Sequence, residues 1–296
     1  MLERLDKAYK SFFHRIREKG QKAGFPRFKG FGRYDSFTLK QAGWKLVGRY
    51  LTITRVGKFK LFLSRPIEGT IKTVTVRRVP GGKWLVAFSC ENVPAKVLPT
   101  SEKEVGIDVG IKSFCVDSDG GIVENPVYFK KSENILRRRQ RALARKQNGS
   151  KNRADARVLV AKTHAKISNQ RRDFLHKTAN TYINEYGKIM VEELHIKNMV
   201  QNRHLAKSIS DSSWGMFFEF LSYKAEEAGR TVIKVNPNGT SQICSGCGER
   251  VPKSLSVRTH RCPYCSLVID RDINASLNIL RAGQVLQALT PPVGVA

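Results

Sequence analysis

The chain lacks any apolar run long enough to cross a membrane, because no uncharged stretch approaches the roughly 20 residues of a spanning helix. Its N-terminus also lacks the apolar core of a secretory signal. Acidic residues are scarce, with 25 Asp and Glu against 53 Lys and Arg. We therefore expect a cytoplasmic protein with no membrane-embedded part and a strong preference for anionic partners.

Cysteine is also scarce, with six residues in a chain of 296. Four of the six form two Cys-x-x-Cys pairs, and a disulfide framework would be unusual in so large a chain. This usage favours metal-binding thiolates in a reducing compartment. The other two, Cys90 and Cys115, lie in apolar, strand-like segments, and we expect them to be inert core residues.

The sequence combines a large positive charge with enough apolar residues for a core. Its formal net charge is +28, and 41% of its residues are hydrophobic. This balance indicates a folded basic protein rather than a disordered cationic tail. The phosphate backbone of nucleic acid is the leading partner, and an anionic membrane surface is the competing one. A length of 296 residues allows two or three modules, since domains mostly run to roughly 100 to 150 residues.

The two cysteine pairs have the layout of a zinc ribbon. Cys244 and Cys247 are followed, after fourteen residues, by Cys262 and Cys265. Four thiolates at this spacing favour one tetrahedral Zn²⁺ with a structural role, since they leave no open position for water. His260 lies close by, but with four better ligands available we expect it at the surface, where it could touch nucleic acid.

Three acids stand at the ends or middles of core elements. Asp108 lies within an apolar strand, Glu192 closes another, and Asp272 begins the last helix. A carboxylate buried in a strand is costly unless it is paired or bound to metal. Two ions about 4 Å apart, held by such acids, can activate water and stabilise the leaving oxygen of a phosphoryl displacement. We therefore interpret the set as ligands for Mg²⁺, which prefers carboxylate oxygens.

Each acid alone has a plainer explanation. Asp108 could hydrogen-bond to the turn that follows it, and Asp272 could only cap a helix. Glu192 could be an ordinary residue at a helix start, where the helix macrodipole favours a negative charge. Among the neighbouring acids, Glu193 would face away from Glu192 in an alternating strand. Asp270 would come two residues too early to share the helix start, so we expect both to stand outside the metal site.

Residues 130–172 contain fifteen Lys or Arg and two acids, which leaves a net charge of +13. We predict one or two basic helices here. A solvated helical face is the usual role of such runs, but this many cations would repel one another without a polyanion. We therefore expect contact with the RNA or DNA backbone, with these candidates: Arg137, Arg138, Arg139, Arg141, Arg145 and Lys146.

Periodicity places a helix at 2–18 and predicts β-rich segments at 44–55, 57–63, 70–79 and 83–90, with a hairpin turn at Pro80-Gly81-Gly82. This pattern predicts an antiparallel meander or small barrel. The run from Phe25 to Tyr34 interleaves rings with cations, and its rings could pack on the sheet or stack on bases. From Val105 onward strands and helices alternate, which indicates an α/β layer fold.

Four motifs carry a resemblance to a known family. The segments 106–112, 189–194 and 270–275, with the stretch Thr240 to Gly248, closely resemble the three RuvC motifs and the ribbon of TnpB, the OrfB-type insertion-sequence protein. The resemblance implies an RNase H-like (RuvC) core with an inserted four-cysteine zinc ribbon, preceded by a β-barrel wedge-like domain. It also implies an RNA-guided DNA endonuclease, with guide RNA and target DNA as partners and nucleoid association when bound to DNA.

Matched motif by motif, the catalytic acids of that family fall on Asp108, Glu192 and Asp272, which would hold two Mg²⁺ ions. The presence of all three argues against the nuclease-dead branch of the family. Nothing in the chain resembles the tyrosine nucleophile of a strand-transfer transposase. The sequence leaves the oligomeric state open.

The motifs divide the chain into five expected parts: an N-terminal helix remnant of the recognition lobe at 1–20, a wedge-like domain at 21–102, a RuvC-like core at 103–240 whose residues 128–185 form the basic helical segment, the ribbon at 241–268, and the third motif with a helix and tail at 269–296.

The start of the chain departs from the family, whose members usually begin with a wedge-domain strand and further recognition-lobe helices. This chain starts in the last of those helices, at Leu2. It could be a naturally minimised member, a protein with a misassigned start codon, or a decayed copy. The alternative functions are therefore an RNA-dependent DNA-binding protein or a transposition accessory, each without cleavage.

Overall fold

The computed structural model describes residues 2–18, 23–27, 30, 33–254 and 257–289. The chain folds as two compact units, Met1–Pro94 and Ala95–Ala296. Within the described ranges, no helix is both long and apolar enough to span a membrane.

The first unit begins with helix α1 and continues with six strands. Their bounds are α1 Leu2–Arg17, β1 Ser36–Leu39, β2 Trp44–Val47, β3 Tyr50–Ile53, β4 Gly57–Lys60, β5 Thr70–Arg78 and β6 Trp84–Glu91. The strands form two antiparallel sheets, ordered β1-β5-β6 and β2-β3-β4. The predicted meander is therefore present. The predicted barrel is not confirmed, because β2 and β4 in one sheet and β1 and β6 in the other each pair on one side only in the described residues.

Alternation along the strands builds the core of this unit. Leu51 and Ile53 of β3 and Val74 and Val76 of β5 are buried and pack in one cluster. Helix α1 is held to β1 by Arg4, whose guanidinium donates to the carbonyl of Ser36 and to the Thr38 hydroxyl.

The ring of Phe25 packs edge-on against the α1 residues Tyr9 and Phe12, at centroid distances of 5.8 and 5.1 Å. This member of the aromatic and cationic run therefore packs within the unit. Phe28 and Phe31 of the same run fall outside the described residues.

The second unit alternates strands and helices. The bounds are β7 Glu104–Val109, β8 Ser113–Asp117, β9 Ile122–Glu124, α2 Tyr128–Ala144, α3 Lys151–Glu185, β10 Lys188–Glu192, α4 Ile196–Met199, α5 Ala206–Ser212, α6 Trp214–Ala228, β11 Thr231–Val235, β12 Thr259–Arg261, β13 Val268–Asp270 and α7 Arg271–Leu289. The main sheet has the order β11-β10-β7-β8-β9. Strands β7, β10 and β11 are parallel, and β8 and β9 run antiparallel to their neighbours. The predicted α/β architecture is confirmed.

Helices cover both faces of this sheet, which explains why β10 reads as a continuous apolar run. Ile189 and Val191 pack in the cluster that includes α3 and α6, whereas Met190 packs with Ile279 of α7 on the other face. Cys115 is fully buried in the first cluster, as predicted, and burial raises the pKa of its thiol to about 12.

Helix α7 crosses β7 at a point with no room for a side chain. A Cβ on Gly106 would overlap the carbonyl of Ser276 and the backbone nitrogen of Leu280. Of the large apolar residues of this helix, Leu280 packs against the cluster of Met190 and Ile279, whereas Ile273 and Leu277 are half-buried. The buried positions are instead small or polar, apart from one isoleucine: Asn274, Ala275, Ser276, Asn278, Ile279 and Gly283. Close backbone packing at Gly106 requires small residues there.

Candidate metal centres and nucleic-acid surface

Asp108 and Glu192 lie at the same edge of the main sheet. Strands β7 and β10 are adjacent and parallel, with Val191 of β10 opposite Ile107 of β7. The next residue along is Glu192 on β10 and Asp108 on β7. The carboxyl ends of parallel strands are where α/β sheets place their binding sites. The fold therefore brings together two acids that are far apart in sequence.

Both carboxyls are withdrawn from water close to like charge, with Glu192 buried and Asp108 half-buried. Burial raises the pKa of Asp108 well above its ordinary value, and the charges of Glu192 and Asp272 raise it further. Burial also raises the pKa of Glu192, which is 9% exposed. Like charges held this close favour protonation of one of them or the binding of a cation.

Asp272 lies in the first turn of α7, close enough for its charge to act on Asp108. Its carboxylate is 3.4 Å from Arg258. Asp270, two residues earlier, has a different role. Its Oδ1 accepts hydrogen bonds from the backbone N–H groups of Asp272 and Ile273, at 2.7 and 3.3 Å.

Asp270 thus caps helix α7. We expected it to come too early to share the helix start, and this was wrong, because the helix begins at Arg271, one residue before Asp272. Sequence spacing does not show which of two nearby acids turns back to the helix N-terminus.

Thr240 is a neighbour of the acids that residue-by-residue reasoning missed. Its hydroxyl donates to Glu192 Oε1 at 2.5 Å, across 48 positions of sequence. This hydrogen bond lowers the pKa of Glu192, against the larger effect of burial. The available signal was indirect: Thr240 opens the stretch to Gly248 that resembles the family most specifically.

A cavity of about 260 Å³ lies beside the ends of β10 and β11. Its lining is polar, with these residues: Glu193, His195, Asn236, Pro237 and Asn238. Glu193 is exposed, whereas Glu192 is buried, so the two acids face different surroundings. Glu193 lines this cavity, whereas Asp108, Glu192 and Asp272 do not, so it lies outside the acid site.

The four ribbon thiols converge on one point. Their Sγ atoms all lie within 4.8 Å of one another, with Cys244 and Cys265 3.6 Å apart and Cys247 and Cys262 3.5 Å apart. A tetrahedral zinc ion with Zn–S bonds of about 2.3 Å would set sulfur atoms about 3.8 Å apart. The thiols are free rather than disulfide-bonded, and their arrangement fits zinc.

Backbone donors near the ribbon favour a thiolate. Burial raises the pKa of Cys262, but the N–H groups of Cys265 and Tyr264 and the neighbouring thiols outweigh it and lower that pKa to about 7. Zinc binds the thiolate form, so this shift favours coordination at Cys262. At Cys247 the N–H of Glu249 lowers the pKa, but burial and the neighbouring thiols outweigh it and raise that pKa to about 12.

His260 is completely buried in the ribbon, so our prediction of a surface residue was wrong. It lies in β12, opposite Ile269 of β13, and its Nδ1 contacts the Lys253 amine. Desolvation by burial lowers the pKa of His260, and the charge of Lys253 lowers it further. The pattern of a three-residue strand was too short to distinguish its inner from its outer face.

Two asparagines join the ribbon to helix α7. Asn274 donates from Nδ2 to the carbonyl of Ile243 at 2.8 Å and accepts from the backbone N–H of Ser245 at 2.9 Å. Asn278 donates to the carbonyls of Thr240 and Ile243, at 2.8 and 2.7 Å. These bonds hold the segment on both sides of Cys244 against the helix that contains Asp272.

Helices α2 and α3 form the predicted basic segment. Arg139 is half-buried and donates to the carbonyl of Leu159 and the hydroxyl of Thr163 on α3, and Arg137 pairs with Glu133 at 3.2 Å. Four of the six candidates are exposed and, within the described residues, have no salt bridge: Arg138, Arg141, Arg145 and Lys146. The exposed cations are thus free to meet phosphate, whereas Arg139 has a packing role.

Asp211 of α5 anchors this segment. Its carboxylate accepts from the backbone N–H of Phe129 at the start of α2, at 3.0 Å, and pairs with Arg171 of α3 at 2.8 Å. One buried acid therefore caps the first basic helix and holds the second.

The motifs and fold agree with comparisons to known proteins. Residues 87–203 match the family model OrfB_IS605, described as "Probable transposase", and residues 214–279 match the model of the Cas12f1-like TNB domain. The fold is also similar to the protein in "Cryo-EM structure of the Cas12f1-sgRNA-target DNA complex", with a TM-score of 0.58 and 18% identity, covering 93% of this chain and 69% of that one.

Two relatives are more similar in sequence. A "Putative RNA-guided DNA endonuclease" of Streptomyces pristinaespiralis is 34% identical, over 97% of this chain and 71% of its own length. The "Putative RNA-guided DNA endonuclease InsQ" of Escherichia coli K12 is 32% identical, over 97% of this chain and 74% of its own length. The chain therefore belongs to the TnpB family of OrfB-type insertion-sequence proteins.

Proposed function

We propose that this chain is an RNA-guided, metal-dependent DNA endonuclease with Asp108, Glu192 and Asp272 as its catalytic acids. The observation that carries the proposal is the convergence of three acids, from two parallel strands and one helix start, on one edge of the sheet. The names of the two relatives over 30% identical support the same activity.

The acids fit a divalent cation. Asp108 and Glu192 are desolvated and repel each other, and a cation between them would relieve both costs. In our proposal the three acids would hold two Mg²⁺ ions, which would supply activation of the attacking water and stabilisation of the leaving oxygen of a phosphodiester. Asp108 and Glu192 offer oxygens from rigid strands, and Asp272 offers one from a capped helix. Asp270 holds the helix N-terminus with Oδ1, so in our proposal it positions Asp272.

The basic helices fit the nucleic-acid partners. Arg138, Arg141, Arg145 and Lys146 present positive charge at the surface, and the chain as a whole carries a net charge of +28. Contacts of this kind bind the backbone of guide RNA or target DNA and set its position without selecting sequence. A protein loaded in this way would be nucleoid-associated while bound to DNA.

The test is cleavage by full-length protein co-expressed with RNA from its flanking element. A plasmid library of targets is offered with Mg²⁺ or with EDTA. Asp108→Ala, Glu192→Ala and Asp272→Ala should each abolish cutting while RNA binding is retained. Glu193→Ala and Asp270→Asn are the matched controls and should cut as the parent chain does, since Asn also caps helices well.

Two results would contradict this proposal in different ways. A parent chain that binds a matched target and never cuts would be an RNA-dependent DNA-binding protein. Equal cutting by Asp272→Ala would remove Asp272 from the acid set and leave the nuclease activity standing.

A further inference from the structure

The hydroxyl of Thr240 is committed to Glu192. It lies 2.5 Å from Glu192 Oε1 and 3.2 Å from the carbonyl of Pro237, and a hydroxyl has one proton to donate. The shorter contact, to a charged acceptor, is the stronger hydrogen bond. One oxygen of the buried carboxylate is therefore held by Thr240, which leaves the other oxygen for a metal ion.

Thr240 is itself held by the junction of ribbon and helix. Its carbonyl accepts from Asn278 of α7 at 2.8 Å, and the same amide group donates to Ile243 at 2.7 Å. Cys244, a candidate zinc ligand, follows Ile243 directly. The backbone from Thr240 to the first zinc knuckle is thus bound to the helix that contains Asp272.

We propose that Thr240 is a positioning residue that couples the zinc ribbon to the acid site. Asn278 of α7 holds its backbone together with that of Ile243 in the ribbon, and its hydroxyl fixes the orientation of Glu192. The inference rests on the proposed function, because it assigns Glu192 to metal. It adds a role for the ribbon in building the metal site.

Partners that hold a metal-binding side chain in place raise its affinity for the ion. Loss of such a partner typically weakens metal binding by about 10- to 100-fold. Thr240 donates to one oxygen of the buried Glu192 carboxyl and so restricts the orientation of the oxygens that a cation would bind. Without the hydroxyl the carboxyl would be free to rotate.

The experiment measures Mn²⁺ binding to the full-length, RNA-free protein by electron paramagnetic resonance of the free ion. Thr240→Val removes the hydroxyl with little change of shape, and Thr240→Ser restores it. Thr259→Val, at an exposed threonine of β12, is the matched control. We expect the Mn²⁺ dissociation constant to rise about 10- to 100-fold in Thr240→Val and to stay at the parent value in the other two.

Zinc content distinguishes positioning from collapse. Thr240→Val should keep the parent zinc content, because the thiols are untouched. Cys262→Ser should lower both zinc content and Mn²⁺ affinity. Its loss of Mn²⁺ affinity should not add to that of Thr240→Val in the double variant, since both act through Glu192. Additive losses, or zinc loss in Thr240→Val, would overturn the coupling.

Asp108→Asn separates this inference from the proposed function. If Asp108→Asn loses Mn²⁺ binding and Thr240→Val does not, the acid site stands and the positioning role is wrong. If the parent chain and Asp108→Asn bind Mn²⁺ equally, the acids are not the ion's site, and the proposed metal centre falls together with the role of Thr240.

Discussion

Asp108 and Glu192 lie side by side near the carboxyl ends of adjacent parallel strands, where burial raises the pKa of Asp108 and the charge of Glu192 raises it further. The fold thus maintains an electrostatic repulsion that a simple structural role would not require. Acids held in this way trade stability for function.

Asp108→Asn should therefore stabilise the metal-free protein. At about pH 7 in EDTA, we expect the free energy of unfolding to rise by roughly 1–3 kcal/mol, because a desolvated charge is removed. The measurement is urea denaturation followed by circular dichroism. A destabilised Asp108→Asn protein would show that the carboxylate supports the fold.

The same pair predicts a pH dependence. The folded-state pKa of Asp108 lies above its unfolded value, so the folded chain takes up the proton first as the pH falls. Stability of the parent chain should rise as the pH falls through the folded pKa and level off below the unfolded pKa of about 3.9. The advantage of Asp108→Asn should shrink over the same window. If the stability gain of Asp108→Asn stayed constant with pH, the ionised Asp108 carboxylate would not be its cause.

Glu104 should show the opposite sign. Hydrogen bonds from Lys188 at 2.6 Å and Gln284 at 2.8 Å join β7 to β10 and α7, and they hold the pKa of Glu104 below its ordinary value. Its contribution is present above the unfolded pKa and is lost as the pH falls through the folded pKa. We expect Glu104→Gln to cost about 0.5–1 kcal/mol at neutral pH and nothing in acid.

Urea denaturation at a series of pH values tests the role of Glu104. Glu102→Gln, at an exposed position two residues earlier, is the control and should match the parent chain throughout. If both substitutions changed the free energy of unfolding equally, the hydrogen bonds to Lys188 and Gln284 would not be the cause.

The ribbon should bind one zinc ion per chain, which elemental analysis measures. Cys262→Ser should lose that ion and increase hydrogen exchange across residues 241–268, because the thiols replace a hydrophobic core there. Exchange should also increase at the start of α7, where Asn274 bonds to the knuckle. Cys90→Ser, in the other unit, should keep the zinc. A ribbon that stays protected without zinc would contradict a structural metal.

Exposed arginines of α2 and its C-terminal end should set the salt dependence of nucleic-acid binding. Replacing Arg138, Arg141 and Arg145 with Gln should weaken RNA binding and reduce the salt slope by about one for each phosphate that is no longer neutralised. Arg139→Gln is the informative comparison: it should lower the stability of the α2–α3 pair and leave the slope nearly unchanged. RNA titrations at several salt concentrations give both values. If the salt dependence of RNA binding were unchanged in the triple variant, these arginines would form a solvated face that does not contact RNA.

Much of this fold could be predicted because its signals are local. Strands β10 and β11 are each a short, mostly apolar run between a glycine and a polar turn, a pattern that predicts a strand. Helix α6 ends at Gly229, whose φ of 68° suits glycine at a helix C-terminus. The cysteine spacing likewise predicted a cluster that the fold assembles.

What could not be predicted depends on contacts across long stretches of sequence. Thr240 and Glu192 are 48 positions apart, and Asn278 meets Thr240 across 38. Neither contact produces a periodic pattern in the sequence from which it could be predicted. Strand β1 was missed because its four residues follow a run of mixed rings and cations, and its partner β5 lies far along the chain, with Ser36 paired to Arg77.

The ribbon meets the acid site at both of its ends, and this divides it into fixed and variable lengths. Thr240 and Cys244 lie at one end and Cys265 and Asp272 at the other. An added residue at either end would displace Thr240 from Glu192 or Asp272 from the other acids. Among the described residues between the knuckles, Arg258 reaches an acid of the site, at 3.4 Å from Asp272. Evolution and protein engineers alike can therefore lengthen the stretch before Arg258, to add a new binding loop or a reporter, while the spacing of the flanks stays constant.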